Sequence, residues 1–292
     1  MRLGRMLLDG QWRTVSVRPD EQEVVVLPAD LGSVDDLVRG GPPALAAAQA
    51  AQSTAPVRRL DPALLGAPLT RFNRDILCTG WNYWAHYEES AGRREGQDPA
   101  ERPRHPTFFT KGPDTVVGPY DDIRYDARVS DRWDYEAEVA LVIGRVGRSI
   151  PAERALEHVF GYLVANDVSQ RDLQRAHGGQ WLKGKSIDDT MPLGPWVTTA
   201  DEIGDPAALR IRCLVNDEVR QDAVTGQMAF SVAQLIAELS WGMTLRPGDV
   251  LLTGTPAGIG NARDPQVFLA PGDVVTTEVD RLGTLHNRVV QL

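Results

Sequence analysis

Short apolar runs alternate with turn signals along the first seventy residues. Strands are predicted at "MRLGRMLL", "QWRTVSV" and "EQEVVVLP", which Asp-Gly and Arg-Pro-Asp turns separate. Ser33 with Asp36 three residues on predicts a capping box, and the alanine-rich helix that follows is started by proline. The proline-punctuated stretch 55–73 is predicted to be a surface linker. Residues 1–70 are therefore predicted to form a small α+β domain of their own.

Residues 71–292 have a mainly β pattern. Helical spacing is limited to "SVAQLIAELSWGM" and the short "AERALEHV". The candidate strands are "DYEAEVALVIG", "HVFGYLVANDVS", "LRIRCLVNDEV", "DVLLTG", "DVVTTEVD" and "TLHNRVV". Because strands outnumber helices and do not alternate with them, a doubly wound nucleotide-binding sheet is not expected. The pattern predicts a β-rich α+β fold.

Composition and charge narrow the class of protein. Of the 292 residues, 42% are hydrophobic and 24% are charged, so a packed core is expected. The net charge is −9 and no long basic stretch occurs, which argues against a nucleic-acid partner. No run approaches the ~18 apolar residues of a membrane helix. The N-terminus lacks a signal-peptide pattern, and two widely spaced cysteines fit a reducing compartment, so a cytoplasmic location is predicted.

The stretch "GQWLKGKS", residues 179–186, matches the phosphate-loop pattern at every fixed position. A phosphate loop needs a buried strand before it and a helix after it. Here a polar stretch with a helical pattern precedes it, and Pro192 and Pro195 exclude a helix after it. Nucleotide binding is therefore not predicted, and Lys185 needs another role.

Three carboxylates stand on otherwise apolar strands. In "DYEAEVALVIG" Glu136 and Glu138 share one strand face, roughly 7 Å apart, and that face turns apolar after them. Such a pair repels unless a cation or a proton lies between. On this stretch alone a metal site and a solvated strand end both stay open. Asp167 ends a second apolar strand, and three carboxylates with open positions suit Mg²⁺, Mn²⁺ or Ca²⁺ better than zinc.

A histidine and a glutamate are spaced for one helical turn. His86 and Glu89 lie three residues apart in "GWNYWAHYEES", so the carboxylate can orient the imidazole for proton transfer. The other histidines have no such partner and are predicted to be surface or packing residues. The charged stretch 92–105 follows directly and is predicted to be a mobile loop, part of a lid around residues 81–107.

Together these segments resemble the fumarylacetoacetate hydrolase family, from about residue 78 to the C-terminus. The matching motifs lie in the family's order at 80–89, 134–138, 165–172, 184–186 and 251–260. The resemblance implies a catalytic β-roll domain, here 71–292, behind a small N-terminal domain. It also implies a homodimer and a divalent metal, usually Mg²⁺, on Glu136, Glu138 and Asp167.

The resemblance assigns further residues by position. Arg171 and Gln174 match substrate-contacting residues, and Lys185 matches the active-site lysine of the family. Thr255 matches the threonine that holds a substrate carboxylate, and Tyr83, in the first motif, is assigned to substrate contact as well. The phosphate-loop match is then accidental.

The activity implied is hydrolysis of a carbon–carbon bond in an acylpyruvate or other 2,4-diketo acid. In that hypothesis the His86–Glu89 pair activates water, while metal and Lys185 stabilise the enolate. Decarboxylation or isomerisation of an oxaloacetate-type or 2-oxo-ene-dioate substrate on the same site is the alternative. A catalytically silent metal-binding scaffold is the alternative of another class. The acyl group, the metal preference and the roles of Trp81 and Trp84 stay open.

Overall fold

The computed structural model describes residues 1–91 and 101–292. The strands are β1 (Arg2–Leu8), β2 (Gln11–Val17), β3 (Glu23–Val26), β4 (Val57–Arg59), β5 (Leu65–Gly66), β6 (Ile76–Gly80), β7 (Thr107–Lys111), β8 (Val116–Val117), β9 (Ile123–Tyr125), β10 (Trp133–Asp134), β11 (Ala137–Ile143), β12 (Gly147–Arg148), β13 (Val159–Asn166), β14 (Ser169–Gln170), β15 (Met191–Thr199), β16 (Arg210–Val215), β17 (Glu218–Val224), β18 (Thr244–Leu245), β19 (Val250–Leu252), β20 (Val274–Val279) and β21 (Gly283–Gln291). The helices are α1 (Val34–Ala51), α2 (Trp84–Glu89), α3 (Arg171–Ala176), α4 (Leu182–Lys185), α5 (Ala200–Ile203) and α6 (Val232–Ser240).

Local signals place several of these elements where the sequence predicts them. The three N-terminal strands are confirmed as β1, β2 and β3. The Ser33 hydroxyl accepts from the Asp36 N–H, and the Asp36 carboxylate accepts from the Ser33 N–H, so the predicted capping box is confirmed. The two predicted helices after it run together as α1, with a kink at Gly41. The segment 152–158, predicted to be a short helix, forms a 3₁₀ helix.

The stretch 55–73 is not a bare linker. Its residues form β4, which pairs with β3, and β5, which pairs with β1. The prediction is wrong here because the prolines flank these very short strands and do not interrupt their pairing.

Two sheets make up most of the protein. The larger has the strand order β4-β3-β2-β1-β15-β13-β11-β19-β6-β7, with β5 on β1 and β8 on β15. The second has the order β17-β16-β20-β21-β9. Because β1 pairs with β15, the N-terminal strands continue the sheet that carries β11 and β13. The division into domains at residue 70 stays a prediction.

Strand β11 lies in the middle of the large sheet and is buried on both faces. Val139 and Leu141 belong to the core shared with the second sheet, whereas Ala140 and Val142 pack into the core beneath α1. The alternation predicted for this strand is therefore confirmed, and the β-rich α+β fold with it. None of the helices in the described residues combines the length and the apolar character needed to cross a bilayer.

Candidate active site

The three predicted metal ligands meet at one end of β11 and β13. Glu138 lies on β11, Glu136 just precedes that strand, and Asp167 directly follows β13. The Asp167 N–H donates to the Glu136 carbonyl oxygen at 2.9 Å, which fixes the two segments side by side. Each residue offers a carboxylate oxygen, and the three oxygens lie within 4.8 Å of one another. All three side chains are buried.

Three cations surround two of these carboxylates. Lys185 Nζ lies 2.7 Å from both Glu136 Oε2 and Asp167 Oδ2, and Lys111 Nζ lies 3.0 Å from Asp167 Oδ1. Arg171 Nη1 lies 2.6 Å from Glu136 Oε1. Burial acts to raise the pKa of Glu136, but the charges of Lys185 and Arg171 outweigh it and lower that pKa to about 2. Glu136 is therefore ionised at neutral pH.

Glu138 has no cationic partner among the described residues. Its Oε2 accepts a hydrogen bond from the Gly254 N–H at 2.7 Å. Burial, followed by the charges of Asp167 and Glu136, raises its pKa well above the usual value. A buried carboxylate without a counter-ion is costly, and a divalent cation between the three oxygens would remove that cost. The all-oxygen donor set therefore fits a hard cation.

Arg171 is held by a carboxylate that sequence reasoning did not assign to the site. Arg171 Nε donates to Asp134 Oδ2 at 2.8 Å. The two oxygens of Asp134 also accept from the backbone N–H groups of Gly260 and Asn261. Asp134 is fully buried and thus ties α3 to the loop after β19. The sequence signal that could have identified Asp134 is its position at the start of "DYEAEV", the stretch that also carries Glu136 and Glu138.

The predicted histidine–glutamate pair is formed. His86 Nδ1 lies 2.8 Å from Glu89 Oε1, within the short helix α2. The second oxygen of Glu89 accepts the Gly258 N–H at 2.7 Å, so the carboxylate is fixed from two sides. Because the Glu89 carboxylate accepts a hydrogen bond from Nδ1–H, a neutral His86 has Nε2 as its basic nitrogen.

The cleft is lined on one side by aromatic rings. The Trp81 ring stacks on the His86 imidazole at a centroid distance of 5.1 Å. Trp181 meets both Trp81 and Phe109 edge to face, at 6.0 and 5.1 Å. Trp81 has a φ of 58°, which is uncommon for a bulky residue. Trp84 is not part of this wall, since its ring packs on Tyr87 and Phe230.

Most of the predicted site residues line a single cleft that opens to solvent. The residues it brings together are His86, Glu136, Glu138, Arg171, Gln174, Lys185 and Thr255. Glu89 and Asp167 stand directly behind this lining, in contact with His86 and Lys185. Segment 92–100 of the predicted lid lies outside the described residues.

The predicted substrate contacts differ in how their polar atoms are placed. Arg171 Nη2 is buried without a hydrogen-bond partner, and Gln174 Oε1 accepts from Arg171 Nη1. The Thr255 hydroxyl donates to the Ala137 carbonyl and accepts from Gln221, so it is already bonded within the protein. Tyr83 is buried at the start of α2 and is not in the lining, a placement that does not favour substrate contact. These roles stay predictions.

Sequence reasoning missed Lys111, a fully buried lysine at the end of β7. Its Nζ donates to the Val168 carbonyl at 2.9 Å in addition to contacting Asp167. Burial, outweighing the charge of Asp167, lowers the pKa of this lysine. A charged residue ending an apolar strand, as in "TFFTK", is the same signal that identified the carboxylates.

The sequence profile described as "Fumarylacetoacetate (FAA) hydrolase C-terminal" matches residues 75–290. The chain belongs to the fumarylacetoacetate hydrolase family. The solved fumarylacetoacetate hydrolase of Exiguobacterium antarcticum is 35% identical, with a TM-score of 0.86 over 100% of both chains. The β-roll fold expected from the resemblance is thereby confirmed.

Two other members of the family indicate which reactions this type of site catalyses. Oxaloacetate tautomerase YisK of Bacillus subtilis (strain 168) is 41% identical over 225 residues, which cover 77% of this chain and 72% of that protein. The maleylpyruvate hydrolase of Sphingobium sp. SYK-6, solved in complex with manganese(II) ion and pyruvate, is 30% identical, with a TM-score of 0.79 over 100% of this chain and 99% of that chain. The family thus includes both hydrolases and tautomerases.

The expectation of carbon–carbon bond hydrolysis is wrong. Curated relatives with 41–47% identity to this chain are described as oxaloacetate tautomerases, which corresponds to the isomerase alternative. The physical reason for the error is that a histidine–glutamate base does not identify its proton donor: it can act on carbon as well as on water.

Gly258, whose N–H group donates to Glu89, has a backbone conformation that a residue with a side chain adopts only with strain. Its φ is +113°, and a Cβ there would lie 2.0 Å from the Arg220 carbonyl oxygen. Gly258→Ala is expected to lower the free energy of unfolding by about 3 kcal/mol or more, from strain and overlap together. Urea denaturation measures this effect.

Gly242→Ala is the matched control. Gly242 also has positive φ, +75°, but nothing lies within 4 Å of its added Cβ. Its cost is expected to be the strain alone, about 1–2 kcal/mol. Equal costs for the two variants would contradict the assignment of a steric requirement to Gly258.

Proposed function

We propose that this protein is a metal-dependent tautomerase that interconverts the keto and enol forms of a short 2-oxo acid of the oxaloacetate type. The relatives described as oxaloacetate tautomerases support this reaction. The observation that carries it is the position of one fixed base, His86, in the same cleft as Glu136 and Glu138. Proton transfer at a carbon beside a carbonyl needs that combination of a base and a stabilised enolate.

Glu136, Glu138 and Asp167 would hold the cation, which we propose to be Mg²⁺, with Mn²⁺ or Ca²⁺ as possible substitutes. When bound, such a cation supplies Lewis acidity that stabilises negative charge on the oxo acid oxygens. Glu138 is the ligand that forms no ion pair with a lysine or arginine within residues 1–91 and 101–292.

His86 moves the proton in this proposal. Its Nε2 removes a proton from C3 of the keto acid, and the C–H electron pair forms the C2–C3 double bond. The carbonyl electron pair passes to the 2-oxo oxygen, which then receives the same proton from the imidazolium. Glu89 stabilises the imidazolium while it carries that proton. No other reactant is consumed, and the reverse sequence gives the keto form.

In this proposal Lys185 and Arg171 supply the positive charges that stabilise the bound substrate. Burial lowers the pKa of Lys185, but Asp167 and Glu136 outweigh burial and the net shift is upward, so its ammonium is retained at neutral pH. A retained positive charge beside the cleft stabilises the enolate oxygen. We propose that Arg171 Nη2, which is buried and has no hydrogen-bond partner within the described residues, donates to the substrate carboxylate. The homodimer and the cytoplasmic location stay predictions.

The test is to follow the enol absorbance of freshly dissolved oxaloacetate, with Mg²⁺ or with EDTA. We expect the purified protein with Mg²⁺ to accelerate the approach to keto–enol equilibrium at least about 100-fold, and EDTA to remove that acceleration. NMR of the same samples is expected to show no oxalate, acetate or pyruvate beyond the background. Accumulation of those products at the rate of enol loss would contradict tautomerisation.

A further inference from the structure

Helix α3 presents two arginines to the same cleft. Arg171 and Arg175 are four residues apart, which places them on one helix face, and both line the cleft. Two nitrogens of the Arg171 guanidinium are already in ion pairs within the protein, since its Nε contacts Asp134 and its Nη1 contacts Glu136. Arg175 is different: in residues 1–91 and 101–292 no carboxylate forms an ion pair with it. Arg175 as a residue is half-buried, and it lines the cleft.

Polar side chains and a group of aromatic rings both line the cleft to which Arg175 belongs. Gln174 and Asn261 line the cleft together with the two arginines, whereas Trp81, Phe109 and Trp181 line it as well and touch one another ring to ring. A cleft of this kind suits a flat, conjugated molecule with a negative charge at one edge. An enol of a 2-oxo acid is flat, and a second carboxylate gives it that charged edge.

We propose that Arg175 binds the distal carboxylate of the substrate and so selects 2-oxo dicarboxylates over 2-oxo monocarboxylates. This inference rests on the proposed function for the placement of the oxo acid end at Glu136, Glu138 and Asp167. Arg171 is the arginine nearer to that end, through its contact with Glu136. Arg175, one helical turn further along α3, is the cation available to the other end of a four-carbon diacid.

Arg175 could instead serve only the helix, because it lies in the last turn of α3 and a cation there interacts favourably with the helix dipole. That structural role is independent of the ligand. It would change the binding of a dicarboxylate and of its monoester by the same factor. A carboxylate contact changes the binding of the dicarboxylate alone, so the two explanations separate in one comparison.

The experiment measures equilibrium binding by tryptophan fluorescence in a stopped-flow instrument, with Mg²⁺ present. The ligands are oxaloacetate, its 4-methyl ester, which lacks the distal charge, and oxalate, which has only the chelating end. The proteins are wild type, Arg175→Ala, Arg175→Lys and Lys183→Ala. Lys183 is exposed on α4 and outside the cleft lining, so its replacement removes the same charge as a control.

Arg175→Ala is expected to weaken oxaloacetate binding about 10- to 100-fold, the effect of losing a hydrogen bond between charged groups. Binding of the ester and of oxalate is expected to stay within about twofold. Arg175→Lys is expected to retain part of the preference, because lysine keeps the charge without the paired donors. Lys183→Ala is expected to bind all three ligands as wild type does.

Two results would overturn the inference: equal weakening of oxaloacetate and ester by Arg175→Ala, or a wild type that does not prefer oxaloacetate to its ester. Failure of the proposed function has a separate signature. If the protein discriminates these ligands through Arg175 but does not accelerate enol loss, the dicarboxylate-binding role of Arg175 stands and the proposed tautomerase activity is wrong.

Discussion

Glu138→Gln is expected to abolish the stabilisation of the protein by Mg²⁺. A ligand at 100 times its Kd adds about 2.7 kcal/mol to the free energy of unfolding, and the variant is expected to gain almost none of it. The reason is that Glu138 is the one buried carboxylate of the three that forms no ion pair within the described residues, and burial with the charges of Asp167 and Glu136 outweighs the charge of Lys185 and raises its pKa. Thermal unfolding with and without Mg²⁺ measures the difference, and tautomerase activity is expected to fall with it.

The metal-free proteins provide an internal check on this prediction. An amide at position 138 keeps an acceptor for the Gly254 N–H but does not repel Glu136 and Asp167, so metal-free Glu138→Gln is expected to be at least as stable as metal-free wild type. Glu153→Gln, at an exposed position, is the control and should respond to Mg²⁺ like wild type. A Glu138→Gln protein that Mg²⁺ still stabilises fully would remove Glu138 from the ligand set.

His86→Ala is expected to lower kcat for enol–keto interconversion about 10²–10⁴-fold, the usual contribution of a positioned general base. The binding of oxalate is expected to change little, because oxalate has no proton for the base to remove. Glu89→Gln is expected to lose less, about 10- to 100-fold, because it alters the orientation and basicity of the imidazole but keeps the base. Steady-state kinetics with Mg²⁺ measure both effects.

His105→Ala is the matched control for the base, since His105 is exposed and contacts Glu238 instead of the cleft. Its kcat is expected to equal that of wild type. Wild-type turnover in His86→Ala would show that another group moves the proton, and Lys185 would then be the group to test.

Much of the site was predictable because its signals are local. Strand alternation put Glu136 and Glu138 on one face of an otherwise apolar strand, and the structure has both buried there. Asp167 was found by the same contrast, a carboxylate ending an apolar run. The turn-length spacing of His86 and Glu89 likewise reported a contact that forms within a single short helix.

The residues that were missed act through long-range contacts. Lys111 reaches Asp167, and Gly258 reaches Glu89, across 56 and 169 positions of the sequence respectively. Nothing in the neighbourhood of either residue indicates these partners, because sheet packing and loop placement decide them. The short strands β4 and β5 were missed for the same reason, since they exist only by pairing with β3 and β1.

The sequence motifs could not distinguish the three candidate reactions, and the reason is chemical. Hydrolysis, decarboxylation and tautomerisation all pass through an enolate stabilised at the same oxygens, so the ligands and Lys185 are common to all three. What separates them is the bond that breaks to give the enolate: a C–H bond in tautomerisation, the C–C bond to the carboxylate in decarboxylation, and the C–C bond attacked by activated water in hydrolysis. Which bond breaks depends on the position of the substrate in the cleft. In our proposal Arg175, which lines the cleft, is one of the side chains that set that position.

The hydrogen bonds between β1 and β15 carry a consequence for aggregation. With residues 1–70 in place, the N-terminal part of the chain covers that part of the edge of β15, and Leu3, Leu37 and Val38 cover apolar side chains of the sheet beneath it. Without them, the protein would present an unpaired edge beside exposed Leu163 and Val197, the combination from which intermolecular strand pairing starts. The N-terminal strands thus protect the catalytic sheet from other copies of itself.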